Sequence, residues 1–189
     1  MIVLQIIGII LGALVGLFII ELAIVAFIPG FSVPKQPLDN AIREAAQGDA
    51  AERLSRKTTS ITVKGTSIGA GLYLPEDQSA PVPCIVMAHG LGATKDTGLD
   101  VYAVRFQEAG FAVLAFDFRH LGASGGEPRQ LVWIPHQLED YAGAIEYART
   151  LAAVDPDRIA LWGTSFGGGH VIAAAARDEG IACICAQAP

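Results

Sequence analysis

A serine bracketed by glycines, standing where an apolar run gives way to an alanine-rich stretch, dictates the local architecture of this chain. Ile159 to Trp162 has the length and composition of a buried strand, and the residues after Gly169 have helix propensity, so a strand turns sharply into a helix at Ser165. Gly163 and Gly167 lie two positions before and two after it, giving Gly-x-Ser-x-Gly. Side chains at the flanking positions would crowd such a turn, which lifts the serine hydroxyl above the sheet edge. The amide N–H groups at a helix start favour negative charge beside it. A nucleophile is the sharp reading, and a glycine-rich strand–helix turn without chemistry is the plain one.

The apolar residues are unevenly spread. Of 189 residues, 52% are hydrophobic, and Ile2 to Ile28 contains only Gln5 and Glu21 besides apolar or glycine residues. That length exceeds the ~20 residues that cross a bilayer, and neither the basic start nor the short core of a cleaved signal peptide is present. Residues 1–28 therefore read as a single-pass membrane anchor. Lys35, Arg43, Arg53, Arg56 and Lys57 follow it, which places the remainder in the cytoplasm by the positive-inside rule. Gly8, Gly12 and Gly16 line one helix stripe and permit a homodimer through close helix approach. Glu21 reads as snorkelling to the interface or staying protonated. Residues 29–57, opened by Pro29-Gly30, Pro34 and Pro37, read as a stalk.

The net charge of −6, with no Lys/Arg run, excludes a nucleic-acid partner. Cys84, Cys183 and Cys185 fall in apolar runs and read as small core residues, since no further Cys or His completes a metal set. No metal is expected.

From residue 58 the chain alternates between strand and helix patterns. Ser60–Val63 and Ile68–Leu74 flank Gly65-Thr66 as a hairpin. Cys84–Ala88 is an unbroken apolar run, as in a strand buried on both faces. It ends in His89-Gly90-Leu91-Gly92, whose glycines leave backbone N–H groups free for an oxyanion. His89 reads as a hydrogen-bonder that holds this loop. A helix is expected around Leu99 to Ala109, a strand over Phe111–Phe118, then a glycine-rich loop pinned by Asp117 and Arg119. That loop has no Gly-Lys-Ser/Thr ending, which argues against phosphate binding. Ile134, Leu138, Tyr141, Ile145 and Ala148 recur at helical spacing, and Ile181–Ala186 is a last apolar strand. Six strands in all, alternating with helices once the first hairpin is passed, make a mainly parallel, doubly wound α/β sheet.

With these residues in place, Thr58 to Pro189 resembles the α/β-hydrolase family. The shared marks are His89-Gly90-Leu91-Gly92, Asp117-x-Arg119-x-x-Gly122-x-Ser124 and Asp155-Pro156-Asp157-Arg158-Ile159 leading into Gly163-Thr164-Ser165-Phe166-Gly167. Tyr73-Leu74-Pro75 and the Asp-Pro-Asp-Arg-Ile run look most like the dienelactone-hydrolase and Xaa-Pro-dipeptidyl-peptidase-like branches. The resemblance implies cleavage of an ester, lactone or peptide without a cofactor. It implies Ser165 as nucleophile and the N–H groups of Phe166 and Leu91 as oxyanion hole. It also implies an acid and then a histidine after the serine. The only later histidine, His170, is expected to point away from Ser165, five residues along the helix; His120 and His136 precede the serine. The expectation is therefore the N-terminal part of a hydrolase, truncated after the sixth strand, with the triad acid and base outside residues 1–189. A non-catalytic, membrane-tethered binding or scaffold protein is the alternative.

Overall fold

The computed structural model describes residues 2–27, 56–76 and 78–189, with side chains described for 5–20, 56–76 and 78–189. The chain forms two compact units that divide after Arg43. In the first, helix α1 runs Ile2–Phe27, and the described side chains from 5 to 20 are exposed all round, with only Gly16 half-buried. Within the described residues no helix is long and apolar enough to cross a membrane, so the crossing expected of Ile2 to Ile28 remains a proposal. Pro29 to Ser55, most of the expected stalk, lies outside the described residues, as does the Glu21 side chain.

The second unit is a six-stranded mixed sheet. Its strands are β1 (Lys57–Val63), β2 (Thr66–Tyr73), β3 (Val82–Ala88), β4 (Ala112–Phe116), β5 (Val154–Thr164) and β6 (Ile181–Gln187). They lie in the order β1-β2-β4-β3-β5-β6. The hairpin β1–β2 and the pair β2–β4 are antiparallel, whereas β3 lies parallel to β4 and β5, and β5 parallel to β6. Lys64 and Gly65, both with positive φ, make the two-residue hairpin turn, the backbone that matches the natural twist of paired strands.

Helices α2 (Leu99–Glu108), α3 (Ile134–Thr150) and α4 (Phe166–Ala175) cover the sheet. The period-two alternation of β3 shows how. Cys84, Val86 and Ala88 join Tyr141, Ile145 and Val171 in one apolar cluster, under α3 and α4. Ile85 and Met87 join Leu99, Ala103 and Trp162 in the other, under α2. A strand with helices on both faces needs apolar residues at every position, and that is what an unbroken run supplies. Burial pushes the Cys84 thiol up to about 12, leaving it an inert core residue.

One expectation needs correction here. Cys183 and Cys185 are exposed, unlike Cys84. They sit on β6, which is an edge strand among the described residues, and Ala182 to Cys185 are all exposed. Apolar composition marked the strand but not its place in the sheet. Helix α4 begins at Phe166, directly after Ser165 where the sequence places the turn, and Gly167, Gly168 and Gly169 lie in its first turn.

Candidate active site

Strand β5 delivers Ser165 to the apex of the turn with φ 54° and ψ −128°. A non-glycine residue adopts such a backbone only where its surroundings enforce it, at a cost of about 1–3 kcal/mol. Three contacts enforce it here. The Ser165 N–H donates to the Gln187 carbonyl at 2.9 Å, and the Ser165 carbonyl accepts from Gly168 N–H at 2.8 Å. The third is the packing of glycines. A Cβ at Gly163 would run into the Gly167 carbonyl, and one at Gly167 would lie 2.8 Å from the His89 carbonyl oxygen and 3.0 Å from that of Ala88. The two elbow glycines thus let β5, α4 and the end of β3 meet. Ser165 itself is exposed.

The loop that leaves β3 passes directly over the serine. A Cβ at Gly90 would come 3.4 Å from Ser165 Cβ and 3.8 Å from its Oγ. Among the described residues neither the Leu91 N–H nor the Phe166 N–H donates to any group. Free N–H groups at a helix start and on a loop beside a serine are the donors a developing oxyanion requires. His89 holds this loop from below. Its Nδ1–H donates to the Gly90 carbonyl at 2.8 Å, and its Nε2 accepts from Phe118 N–H at 3.4 Å. Burial holds the His89 pKa below its ordinary value, partly offset by the bond to Gly90. Neutral His89 has the acceptor that Phe118 N–H needs, whereas the imidazolium does not.

The glycine-rich loop after β4 is pinned by two buried carboxylates, one of which the sequence reading missed. Asp117 accepts from Lys95 N–H at 2.6 Å, from Lys95 Nζ at 2.8 Å and from Ala123 N–H at 2.8 Å. It therefore ties this loop to the segment that follows the oxyanion loop. Gly122, at φ 50°, has no room for a Cβ against that carboxylate. Arg119 pairs with Asp140 on α3, its backbone N–H at 2.8 Å and its Nε at 2.7 Å, and with Glu139 at 3.0 Å. Burial pushes the Asp140 carboxyl above the usual range, against the pull of Arg119. Asp140 was hidden in the sequence among the polar positions of an amphipathic helix.

No histidine is bonded to the Ser165 hydroxyl among the described residues. His120 and His136 are 3.3 Å apart, Nε2 to Nδ1, and bond to each other. His120 lines a different cavity, with Gly92, Thr94, Arg129 and Val132. His170 borders the same pocket as Ser165, together with Ile134, Leu138, Phe166 and Ala173, but its ring is buried and makes no bond to the serine. His170 is still not placed as a base, since its Nδ1–H donates to the Phe166 carbonyl at 2.7 Å.

Comparison with known proteins agrees with this geometry. Residues 64–189 match the family model of the X-Pro dipeptidyl-peptidase (S15 family). The quorum-quenching protein AidA of Acinetobacter baumannii is 52% identical over 120 residues, covering 64% of this chain and 39% of that protein. The thiohydrolase aneE of Aspergillus aculeatus is 38% identical over 141 residues, covering 75% of this chain and 43% of that protein. The crystal structure of the α/β hydrolase GrgF from Penicillium superposes with a TM-score of 0.65 at 34% identity, over 68% of this chain and 44% of that one. The chain thus spans about two-fifths of the length of the curated relatives it matches.

Proposed function

The chain belongs to the X-Pro dipeptidyl-peptidase (S15) family, with the α/β-hydrolase fold, and on that premise we propose that it is a membrane-anchored serine hydrolase. Ser165 Oγ attacks the carbonyl carbon of an ester, lactone or peptide bond and yields its proton to a base. The carbonyl oxygen takes the negative charge and is held by the N–H groups of Phe166 and Leu91. The alcohol or amine leaves with a proton, an acyl group stays on Ser165, and water releases it as a carboxylic acid. No cofactor enters this reaction. The base in this reading is a histidine from outside residues 1–189.

One observation carries the proposal: the strained Ser165 turn, packed on glycines at van der Waals limits, presents a hydroxyl beside two unbonded N–H groups. Strain of this kind persists where function retains it. The full-length protein should therefore be labelled covalently by a fluorophosphonate probe, and Ser165→Ala should abolish the label. Labelling that survives the substitution would place the nucleophile elsewhere. The absence of any described histidine on Ser165 Oγ favours a second reading, a non-catalytic tethered scaffold, and a wild-type protein that takes no label would support it.

The anchor is α1. The support is the sequence of Ile2 to Ile28, which carries one acid and no base and exceeds the ~20 residues that cross a bilayer. Mean hydropathy that is high on every face suits lipid on every side. In this reading the hydrolase domain lies in the cytoplasm. A Cβ at Gly8, Gly12 or Gly16 would meet nothing within 4 Å, so this stripe is open for a second copy of the helix.

A further inference from the structure

We propose that Arg56, just before β1, is a positioning residue for the oxyanion hole: by gripping Asp96 it holds in place the loop that carries the Leu91 N–H. The inference rests on Ser165 as the reacting residue and adds a means by which its reactivity is set.

The loop between β3 and α2 is two turns in succession. In the first, Ala93 N–H donates to the Gly90 carbonyl at 3.4 Å, with Leu91 inside the turn. In the second, Thr97 N–H donates to the Thr94 carbonyl at 3.0 Å, and Thr94 N–H donates to Thr97 Oγ1 at 3.2 Å. Lys95 and Asp96 are the central residues of this second turn, and charge holds both. Lys95 Nζ bonds Asp117 at 2.8 Å and one Asp96 oxygen at 3.1 Å. The other Asp96 oxygen accepts from Arg56 Nη1. Lys95 and Asp117 are buried and grip the turn from the core. Asp96 is half-exposed, and Arg56 grips it from outside. A shift of the second turn is passed to the first, because Thr94 follows Ala93 directly.

The fold makes room for this reach. A Cβ at Gly71 on β2 would run into the Arg56 side chain, so glycine there opens its path. Burial would raise the Asp96 carboxyl, yet the bonds from Arg56 and Lys95 hold it below its ordinary range, and the pair is charged at neutral pH. Arg56 precedes residues 64–189, which match the family model, so its grip is no part of that match. An oxyanion donor acts through where it stands when charge develops, and a displaced donor lowers the rate of the chemical step without weakening binding. A half-exposed ion pair is a modest constraint, so its release loosens the loop without dismantling the fold.

The test follows covalent labelling of the full-length protein by an uncharged alkyl fluorophosphonate, whose phosphoryl oxygen gathers charge in the same hole. Its maximal rate is separated from the probe concentration that gives half of it. Arg56→Ala should lower the maximal rate about fivefold, the most that a pair of this exposure holds, and leave the half-saturating concentration unchanged. Asp96→Ala should slow labelling at least as much, and adding Arg56→Ala to it should slow it no further. Arg56→Lys, which keeps the charge, should recover most of the rate. Salt screens such a pair, so added salt should slow the wild type and leave Arg56→Ala unmoved. A merely structural Arg56 would shift the unfolding midpoint alone; an unchanged maximal rate, or additive losses in the double variant, would overturn the inference. Should Arg56→Ala fail to fold, Arg56→Gln and added salt give the same reading, and a rate indifferent to both overturns it. The role of Ser165 fails separately, in a wild-type protein that takes no label, and the inference falls with it.

Discussion

Gly167 and Gly169 are two residues apart on one turn and should answer oppositely to alanine. A Cβ at Gly167 meets the His89 and Ala88 carbonyls at 2.8 and 3.0 Å, whereas one at Gly169 meets nothing within 4 Å. Gly167→Ala should lower the unfolding free energy by about 1–3 kcal/mol through overpacking, and Gly169→Ala should raise it by up to about 1 kcal/mol through helix propensity. Urea denaturation of the two variants decides both. His89 belongs to the same scale. Its folded pKa lies below the unfolded 6.5, so the unfolded chain takes up the proton first. The stability it contributes is complete above about pH 6.5 and is lost as pH falls through the folded value, with a slope of at most about 1.4 kcal/mol per pH unit. Denaturation midpoints at pH 7.5, 6.5 and 5.5 should fall, and His89→Gln should flatten that trend. The glycines and His89 were legible in the sequence because steric exclusion and a strand end are local properties. The grip of Arg56 on Asp96 was not, because it joins positions 40 residues apart.

Among the elements, α3 carries more than its apolar face suggests. Asp140 is fully buried and joins α3 to the glycine-rich loop through two bonds from Arg119. Removing one partner of a buried pair leaves the other charge uncompensated, so Asp140→Ala should cost about 3–5 kcal/mol. Asp140→Asn should cost less, since the amide oxygen still accepts from Arg119 N–H. A fluorescence-monitored unfolding curve that places the alanine variant within 1 kcal/mol, roughly the value of an exposed pair, would refute this. Strand and helix positions were readable from periodicity, and the strand ends fell within two or three residues of the pattern for all but β5, which begins at Val154. The tie of Lys95 to Asp117, and that of Arg119 to Asp140, span different elements, and no period encodes a partner 21 or 22 residues away. The exposure of Cys183 and Cys185 was unreadable for a related reason, because it depends on what lies beside β6.

For the whole molecule, the anchor proposal predicts that the full-length protein stays in the membrane pellet after carbonate extraction and that deleting residues 2–28 releases it. A mature chain found to begin near Pro29 would mean that the segment is a cleaved leader. The sheet order carries another consequence. Ser165 owes its backbone geometry to a bond from its own N–H to Gln187, at the far end of β6, and β6 pairs with β5 only after the chain has crossed over α4. Parallel pairings that close such crossovers form late, since loop-closure entropy is spent before they are made. The turn that presents the hydroxyl is thus completed by the last of these six strands to be synthesised. On the proposed role of Ser165, reactivity toward a covalent probe therefore keeps time with folding, and it should stay silent in a nascent chain at least until β6 docks.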